Sequence, residues 1–409
     1  MNFLADSISP KYPFKDTFQK DIERNTREFF QKTYGGALSK GSRRSPNKSL
    51  YQAHVRQLLE DAHEEIIVDG HCVNRLVYLE VKTTEKGIFV TAHPEETIER
   101  IQKSGDLRPQ RGLIEPVLNT FRWAIGAGVE FPLGLDIKIF FWLADKPPWT
   151  DKQGFPIFIP SGIPYGLNFP LYPDVSYFYM QFDKKYTGEG LTFDAYKRIF
   201  DASPNSTLED IVYFKGADTT RYNSKLRSYI VNELPKMIGK EHTDLAIVDG
   251  FTQFDPLYTD GQGKRYLLDL PGLFPWSVRL KFLFLFNGGP TVIKVNERWV
   301  ANDRSWADPV KPWQQWIDTF LPEEAYISVT HTHTQMIKKF KDDIKSTKRA
   351  EGINRVNREK TVKKIAEIQK RDLRAPDPEL GHKIVTKLSN DRIYQMIFRT
   401  IMTLHALGR

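Results

Sequence analysis

The sequence predicts an α/β protein in which two Rossmann-like domains face a central cleft and a C-terminal helix crosses back to the first domain. Three stretches predict it. Residues 264–299, KRYLLDLPGLFPWSVRLKFLFLFNGGPTVIKVNERW, read as strand, tight loop, helix, turn and strand. In it, Tyr266 to Leu270 is an apolar run closed by Pro271-Gly272, and Ser277 stands at an N-cap position before the apolar run Val278 to Phe286. Thr291 to Val295 then has the β-branched character of a buried parallel strand. Upstream, Ile211 to Phe214, the KGADTTR loop and a helix from about Asn223 to Met237 repeat that order. In the first half, Ile137 to Leu143, IKIFFWL, is an apolar run of strand length that ends in Ala144-Asp145-Lys146-Pro147.

The elements in order divide the chain into domains over 1–200 and 201–375 and a closing helix over 376–409. The first 50 residues are polar, with GGALSKGSRRSPNKS as a loop. Its Gly36 to Gly41 spacing imitates a P-loop, but Ser42 and Arg43 occupy the places of the required Lys and Ser/Thr and no strand precedes it, which excludes that reading. Tyr51 to Ile66 predicts an amphipathic helix, Leu76 to Val81 and Gly87 to Thr91 paired strands, and Pro94 to Gln102 and Glu115 to Ala127 two more helices. Trp149 to Tyr179 is too dense in Pro and Gly for one helix and reads as an irregular segment lining a cleft. Tyr172 and Asp174 are its candidate acceptor contacts, with core filling as the alternative fate of its aromatics. Leu245 to Val248 is a further strand, and helices follow at Met336 to Ile344, Lys360 to Arg374 and His382 to Leu407. His331 and His333 alternate as on a strand or loop; without further Cys or His at ligand spacing, no zinc site is expected there.

Composition narrows the class. At 409 residues, 40% apolar and 27% charged, the chain is an ordinary globular protein of two-domain size. The single Cys72 excludes a disulfide framework and points to a reducing compartment. Neither the N-terminal stretch nor any later run has the apolar length of a signal or a membrane span, and the final HALGR is no retention signal, so a cytoplasmic chain, or a fragment of a longer one, is expected. The net charge of +8 sits largely in Arg43 to Lys48 and Lys338 to Lys370. In the second region acidic residues alternate with basic ones, as on a solvated helix face. The field would also attract a nucleotide or an anionic membrane surface, so peripheral membrane contact fits while a membrane span does not.

The loops after the strands carry the chemistry. A parallel strand that runs into a loop and a helix leaves free backbone N–H groups at the sheet's carboxyl edge, where anions bind. Ser277 supplies a hydroxyl there and Arg279 a guanidinium fork; a capping serine with a surface arginine is the alternative. Asp145 follows a buried strand and so faces the cleft of an open sheet, against the alternative of an Asp that opens the Pro147-Pro148 turn. Glu297, just past a strand end, suits two ribose hydroxyls.

Three ordered motifs resemble glycosyltransferase family 90, which includes protein O-glucosyltransferases and capsule-associated xylosyltransferases. Tyr266 to Gly272 followed by Trp276-Ser277-Val278-Arg279-Leu280-Lys281 is similar to that family's signature. Phe214-Lys215-Gly216-Ala217-Asp218-Thr219-Thr220-Arg221 resembles its aromatic-Arg-Gly-Ser segment, with Lys215 where Arg is usual and Ala217 in place of Ser. Lys294 to Glu297, Lys311-Pro312-Trp313 and Tyr326 to Val329 resemble its closing segment. The likeness spans roughly Phe140 to Val329.

The resemblance implies an inverting transferase that moves glucose or xylose from a UDP-sugar to a glycan or glycoprotein hydroxyl. It implies Asp145 as general base, although Ala144 stands where the family has Arg. It places donor contacts at Lys215, Gly216, Thr219, Thr220, Arg221, Asp269, Gly272, Trp276, Ser277, Val278 and Arg279, to which our own reading adds Glu297. The absence of any Asp-x-Asp sequence, together with the two Rossmann-like halves, favours the GT-B architecture. There, cationic side chains rather than a metal ion neutralise the leaving diphosphate, so no cofactor and no obligatory metal are expected. The first domain then takes the acceptor and the second the donor, in a cytoplasmic protein of viral or microbial kind. The competing class is a basic nucleic-acid-binding or scaffold protein without catalysis, using Lys338 to Lys370.

Overall fold

Two residues separate the alternating runs Leu76–Thr84 and Gly87–His93, a link too short for a helical crossover, so the runs pair antiparallel. The computed structural model describes residues 66–68, 71–73, 76–93, 120–121, 124, 133–142, 157–158, 161–162, 201, 207–218, 225–248, 261–272, 277, 279–284, 288–301, 314–319, 321–335, 344–372, 377–387 and 398. They fall into two units, one of Met1–Gly162, Leu167–Phe178 and Asn390–Arg409, the other of Ile163–Gly166 and Tyr179–Ser389. Among the described residues no helix is long and apolar enough to cross a membrane.

The first unit holds β1 (Ile66–Val68), β2 (His71–Val73), β3 (Leu76–Thr84), β4 (Gly87–His93), β5 (Asp136–Trp142), β6 (Ile157–Phe158) and β7 (Ser161–Gly162). β1 and β2 form a small antiparallel ladder, and a second sheet has the order β4-β3-β5-β6. Its register sets Leu79 beside Ile139 and Val81 beside Ile137, all four buried. Phe141 stacks on Phe158 with centroids 5.4 Å apart. The unit's last segment contributes Phe398, edge-on to Phe121 at 6.3 Å. This sheet differs from the Rossmann-like expectation: β3 runs antiparallel to both β4 and β5, and only β5 and β6 are parallel. The helices expected over Tyr51 to Ile66 and Pro94 to Gln102 lie outside the described residues, except that Ile66 opens β1.

The second unit meets the expectation. β8 (Glu209–Gly216), β9 (Thr243–Ile247), β10 (Lys264–Asp269), β11 (Thr291–Ala301) and β13 (Ile327–Gln335) form a five-stranded sheet in the order β13-β11-β10-β8-β9, and every pairing is parallel. β12 is the two-residue strand Gln314–Gln315. α1 (Leu226–Ile238) follows β8, α2 (Leu280–Leu283) follows β10, α3 (Ile344–Arg371) follows β13, and α4 (Pro378–Lys387) comes last.

Alternation along the strands gives the sheet two different faces. Val212, Phe214, Tyr266, Leu268, Ile293, Val295 and Val329 pack with Leu226, Ile230 and Leu234 of α1 and Val362, Ile365 and Ala366 of α3 into one core. The other face begins with Tyr213, Leu267 and Val292 and turns polar at Asp269 and Lys294.

Two helix expectations are corrected. The apolar run Val278 to Phe286 is described as a helix only over Leu280–Leu283, a single turn whose dipole is too short to anchor an anion. The helix expected over Lys360 to Arg374 is instead one of 28 residues, Ile344–Arg371, while the helix expected over Met336 to Ile344 lies outside the described residues except for Ile344. It buries Ala350, Asn354, Thr361, Val362 and Ile365 on one side and exposes Lys348, Lys360, Lys363, Lys364 and Lys370 on the other.

Candidate functional site

From β8 the chain steps outward to β9, then returns to β10 on the other side and continues to β11 and β13. The direction therefore reverses between β8 and β10. Loops leaving the carboxyl ends of such a strand pair diverge, and the crevice between them is where open α/β sheets take ligands. Gly216 ends β8 and Asp269 ends β10 at that crevice.

Two arginines fill it in opposite ways. Arg227, on the first turn of α1, donates from Nε to the Pro271 carbonyl at 2.9 Å, from Nη1 to that of Ala217 at 2.7 Å and from Nη2 to that of Leu270 at 2.9 Å. It thereby ties the two diverging loops together. A cation is unfavourable at a helix N-terminus, so its reason for being there is tertiary. Burial, reinforced by the neighbouring Arg279 charge, pushes its guanidinium down to about 9, which leaves it charged at neutral pH.

Arg279 lies across the end of β8. Its guanidinium carbon is 4.5 Å from the Phe214 ring centroid, and Nη2 donates to the Lys215 carbonyl at 2.9 Å. Ser277 stands three residues before α2 instead of at its N-cap, and its Oγ accepts the Arg279 backbone N–H at 3.2 Å. Gly216 makes room for the arrangement, since a Cβ there would run into Arg279 Nη2. Nε and Nη1 of Arg279 are buried and have no hydrogen-bond partner.

Asp269 is the counterpart. It is 3% exposed, and its Oδ1 accepts no hydrogen bond. Burial drives its carboxyl from the ordinary 3.8 up to about 6, against the pull of the Lys294 and Arg279 charges. The crevice thus presents unused donors on a cation and an unused acceptor on a carboxyl group. That combination matches an anion that also bears hydroxyls.

Beside it, on the same face, charges are fully engaged. Lys294, in register with Asp269, meets Asp318 Oδ1 at 2.5 Å. Asp318 also accepts the Gln315 N–H at 2.7 Å and the Tyr326 hydroxyl at 3.1 Å. Burial and the Asp318 charge raise the Tyr326 phenol far above its ordinary value.

Beyond the carboxyl edge β11 and β13 continue as a pair. Glu297 stands in register with His331, and the ligating atoms of Glu297, His331 and His333 all lie within 4.8 Å of one another, with all three residues buried. Burial pushes the His331 imidazole down to about 3 and that of His333 to about 4. The 4.0 Å approach of His331 Nε2 to Glu297 Oε1 therefore joins a neutral ring to the carboxyl group and is no ion pair.

Of the sequence-predicted residues, Gly216, Asp269, Gly272, Ser277 and Arg279 stand in the two loops and strand ends at the switch point. The Lys215 ammonium turns to Asp244 on β9, at 3.5 Å. Glu297 is buried beside the two histidines. Asp145, Tyr172, Asp174, Thr219, Thr220, Arg221, Trp276 and Val278 lie outside the described residues. Sequence reasoning missed Arg227, whose signal was a basic residue on the first turn of a helix that follows a strand. It also missed the histidine pair's carboxylate partner, which a search by linear spacing does not reach.

No protein-family model matches the chain, and a search of curated proteins returns no match. Fold and site together define an α/β unit built on a parallel five-stranded sheet, with a buried, charged crevice where the strand order reverses.

Proposed function

We propose that the protein is an inverting glycosyltransferase that takes a UDP-sugar, UDP-glucose or UDP-xylose, in the crevice between β8 and β10 and transfers the sugar to a hydroxyl of a glycan or protein acceptor. The observation that carries the donor half is the pair of unused groups: Arg279 with Nε and Nη1 free to donate, and Asp269 with Oδ1 free to accept. A diphosphate satisfies the first and a sugar or ribose hydroxyl the second. The choice of a nucleotide-sugar over other phosphorylated ligands rests on the motif resemblance around Lys215, Arg279 and Tyr326.

In this reading Asp145, just beyond β5, takes the acceptor hydroxyl proton as its oxygen bonds to the anomeric carbon and the bond from that carbon to the UDP oxygen breaks. Arg279 and Arg221 hold the departing diphosphate, and no metal ion is required for the step. General-base assistance contributes about 10²- to 10⁴-fold in rate.

Calorimetric titration with UDP, GDP and NAD tests the donor half. UDP binds selectively, and Arg279→Ala weakens it by about 10- to 100-fold, the loss of a charge-assisted contact of ~1.5–3 kcal/mol. Asp145→Asn abolishes transfer from UDP-glucose or UDP-xylose and leaves UDP affinity intact. Equal indifference to all three nucleotides overturns the donor site, and normal turnover in Asp145→Asn removes that residue from the mechanism.

A further inference from the structure

Along the α3-facing side of the sheet, apolar side chains give way to ionisable ones in an ordered sequence. β11 carries Ile293, Val295 and then Glu297; β13 carries Val329, His331 and then His333. All six are buried, and the parallel register that aligns Ile293 with Ile327 also aligns Glu297 with His331. This sets three ionisable side chains side by side at the buried end of a packed face.

The hydrogen bonds place the proton on the His331 ring. The Thr361 hydroxyl donates to the Asn357 carbonyl at 2.9 Å, so its oxygen accepts the bond from His331 Nδ1 at 3.0 Å. Nδ1 therefore carries the hydrogen and Nε2 carries the lone pair. That lone pair has no hydrogen-bond donor and lies 4.0 Å from Glu297 Oε1, which is itself an acceptor. Two acceptors facing each other across a buried gap are reconciled by a cation between them. Orientation of a ligating imidazole through its second nitrogen is also how proteins hold metal-binding histidines.

We propose that Glu297, His331 and His333 bind a first-row divalent cation, zinc by preference, which staples β11 to β13 where the two strands run past the rest of the sheet. Two imidazoles and a carboxylate are borderline donors suited to zinc, and three protein ligands leave one position for a water or for the second Glu297 oxygen. Tetrahedral bonds of about 2.1 Å set ligand atoms roughly 3.4 Å apart, so the trio closes from its present spread by about an ångström of side-chain rotation. The site is independent of the crevice at Arg279, and it assigns Glu297 to the cation instead of to a ribose.

The full chain, purified without chelator, is analysed for metals by inductively coupled plasma mass spectrometry, then stripped and titrated with Co²⁺. One zinc per chain is expected at isolation. One Co²⁺ per chain is expected on reconstitution, with the visible d–d absorption of a low-coordinate site that Zn²⁺ displaces. Glu297→Gln and His333→Asn each abolish that absorption, and Thr361→Val, which leaves all three ligands in place, weakens cobalt affinity roughly 10- to 100-fold. Substoichiometric metal in both the isolated and the reconstituted wild-type chain overturns the site, with no appeal to a variant that has failed to fold. So does a cobalt spectrum unchanged in folded Glu297→Gln. UDP affinity is measured separately, so failure of the nucleotide reading leaves this one standing.

Discussion

Two buried pairs of opposite charges, one anchored by Asp269 on β10 and the other by Lys294 on the neighbouring β11, lie on one sheet face and are built differently. Lys294 and Asp318 are in direct contact, and Asp318 receives two further hydrogen bonds, from Gln315 and Tyr326. Arg279 and Asp269 feel each other's charge, yet Arg279 Nε and Nη1 and Asp269 Oδ1 make no hydrogen bond. Burial alone does not separate the two pairs, since all four groups are out of water. The difference is satisfaction: the first pair is complete within the chain, while the second leaves groups whose desolvation goes unreturned at about 1–3 kcal/mol for each unsatisfied group. A structural ion pair has no reason to be left in that state, whereas a ligand site does.

The comparison breaks most visibly in stability. Lys294→Met leaves the Asp318 carboxylate buried without its counter-charge, and a loss of about 3–5 kcal/mol is expected in urea unfolding. The double variant Lys294→Met with Asp318→Leu recovers most of it. Arg279→Ala, by contrast, removes a buried cation with unused donors and leaves unfolding stability unchanged or higher. If Arg279→Ala destabilises as strongly as Lys294→Met, the two pairs are alike and the distinction fails.

Asp269 sharpens the same contrast through pH. Because its folded value is raised to about 6 from 3.8, the folded chain holds a proton over that interval which the unfolded chain has released. The contribution is therefore fully present below about 4 and is lost as pH rises through 6, with about 3 kcal/mol as its ceiling. Asp269→Asn flattens that part of the stability profile, which thermal melts across the interval measure directly. An unchanged slope places the titrating proton elsewhere.

How much of this was legible in the sequence follows from which forces act locally. The strands over Ile211 to Phe214, Tyr266 to Leu270 and Thr291 to Val295 were readable because burial on both faces demands continuous apolar runs. The extension of β11 to Ala301 was not, because Asn296 and Glu297 are buried polar residues that a hydropathy pattern counts as surface. The first unit's sheet misled for a related reason: an apolar run predicts a buried strand such as β5 but says nothing about the direction of its neighbours. At the site, Ser277, Arg279 and Asp269 could be placed at a strand end from sequence, but whether their polar atoms were satisfied could not, because that depends on Lys215, Gly216 and Phe214 from a distant segment. Glu297 meets His331 through parallel register alone, so no linear spacing announces the trio.

Gly216→Ala gives the smallest effect and the most specific one. The backbone at Gly216 is not in the left-handed region, so alanine is tolerated there as a strand residue. What its Cβ meets is Arg279 Nη2, with the Phe214 ring edge at 3.1 Å behind it. The side chain that gives way is the flexible one, and Arg279 must lift away from the Lys215 carbonyl. Alanine also restricts the unfolded chain, which favours the folded state by about 0.4–1 kcal/mol and offsets the local crowding. Net stability should therefore move little, while UDP affinity falls by about 10-fold, or ~1.4 kcal/mol. The double variant Gly216→Ala with Arg279→Ala supplies the decisive arm. If the glycine acts only by giving Arg279 its place, the double loses no more affinity than Arg279→Ala alone, and a coupling equal to the single effect appears in the cycle. Fully additive losses would mean that the methyl group blocks the ligand itself, and the crevice would then have to run directly over the end of β8 instead of alongside it.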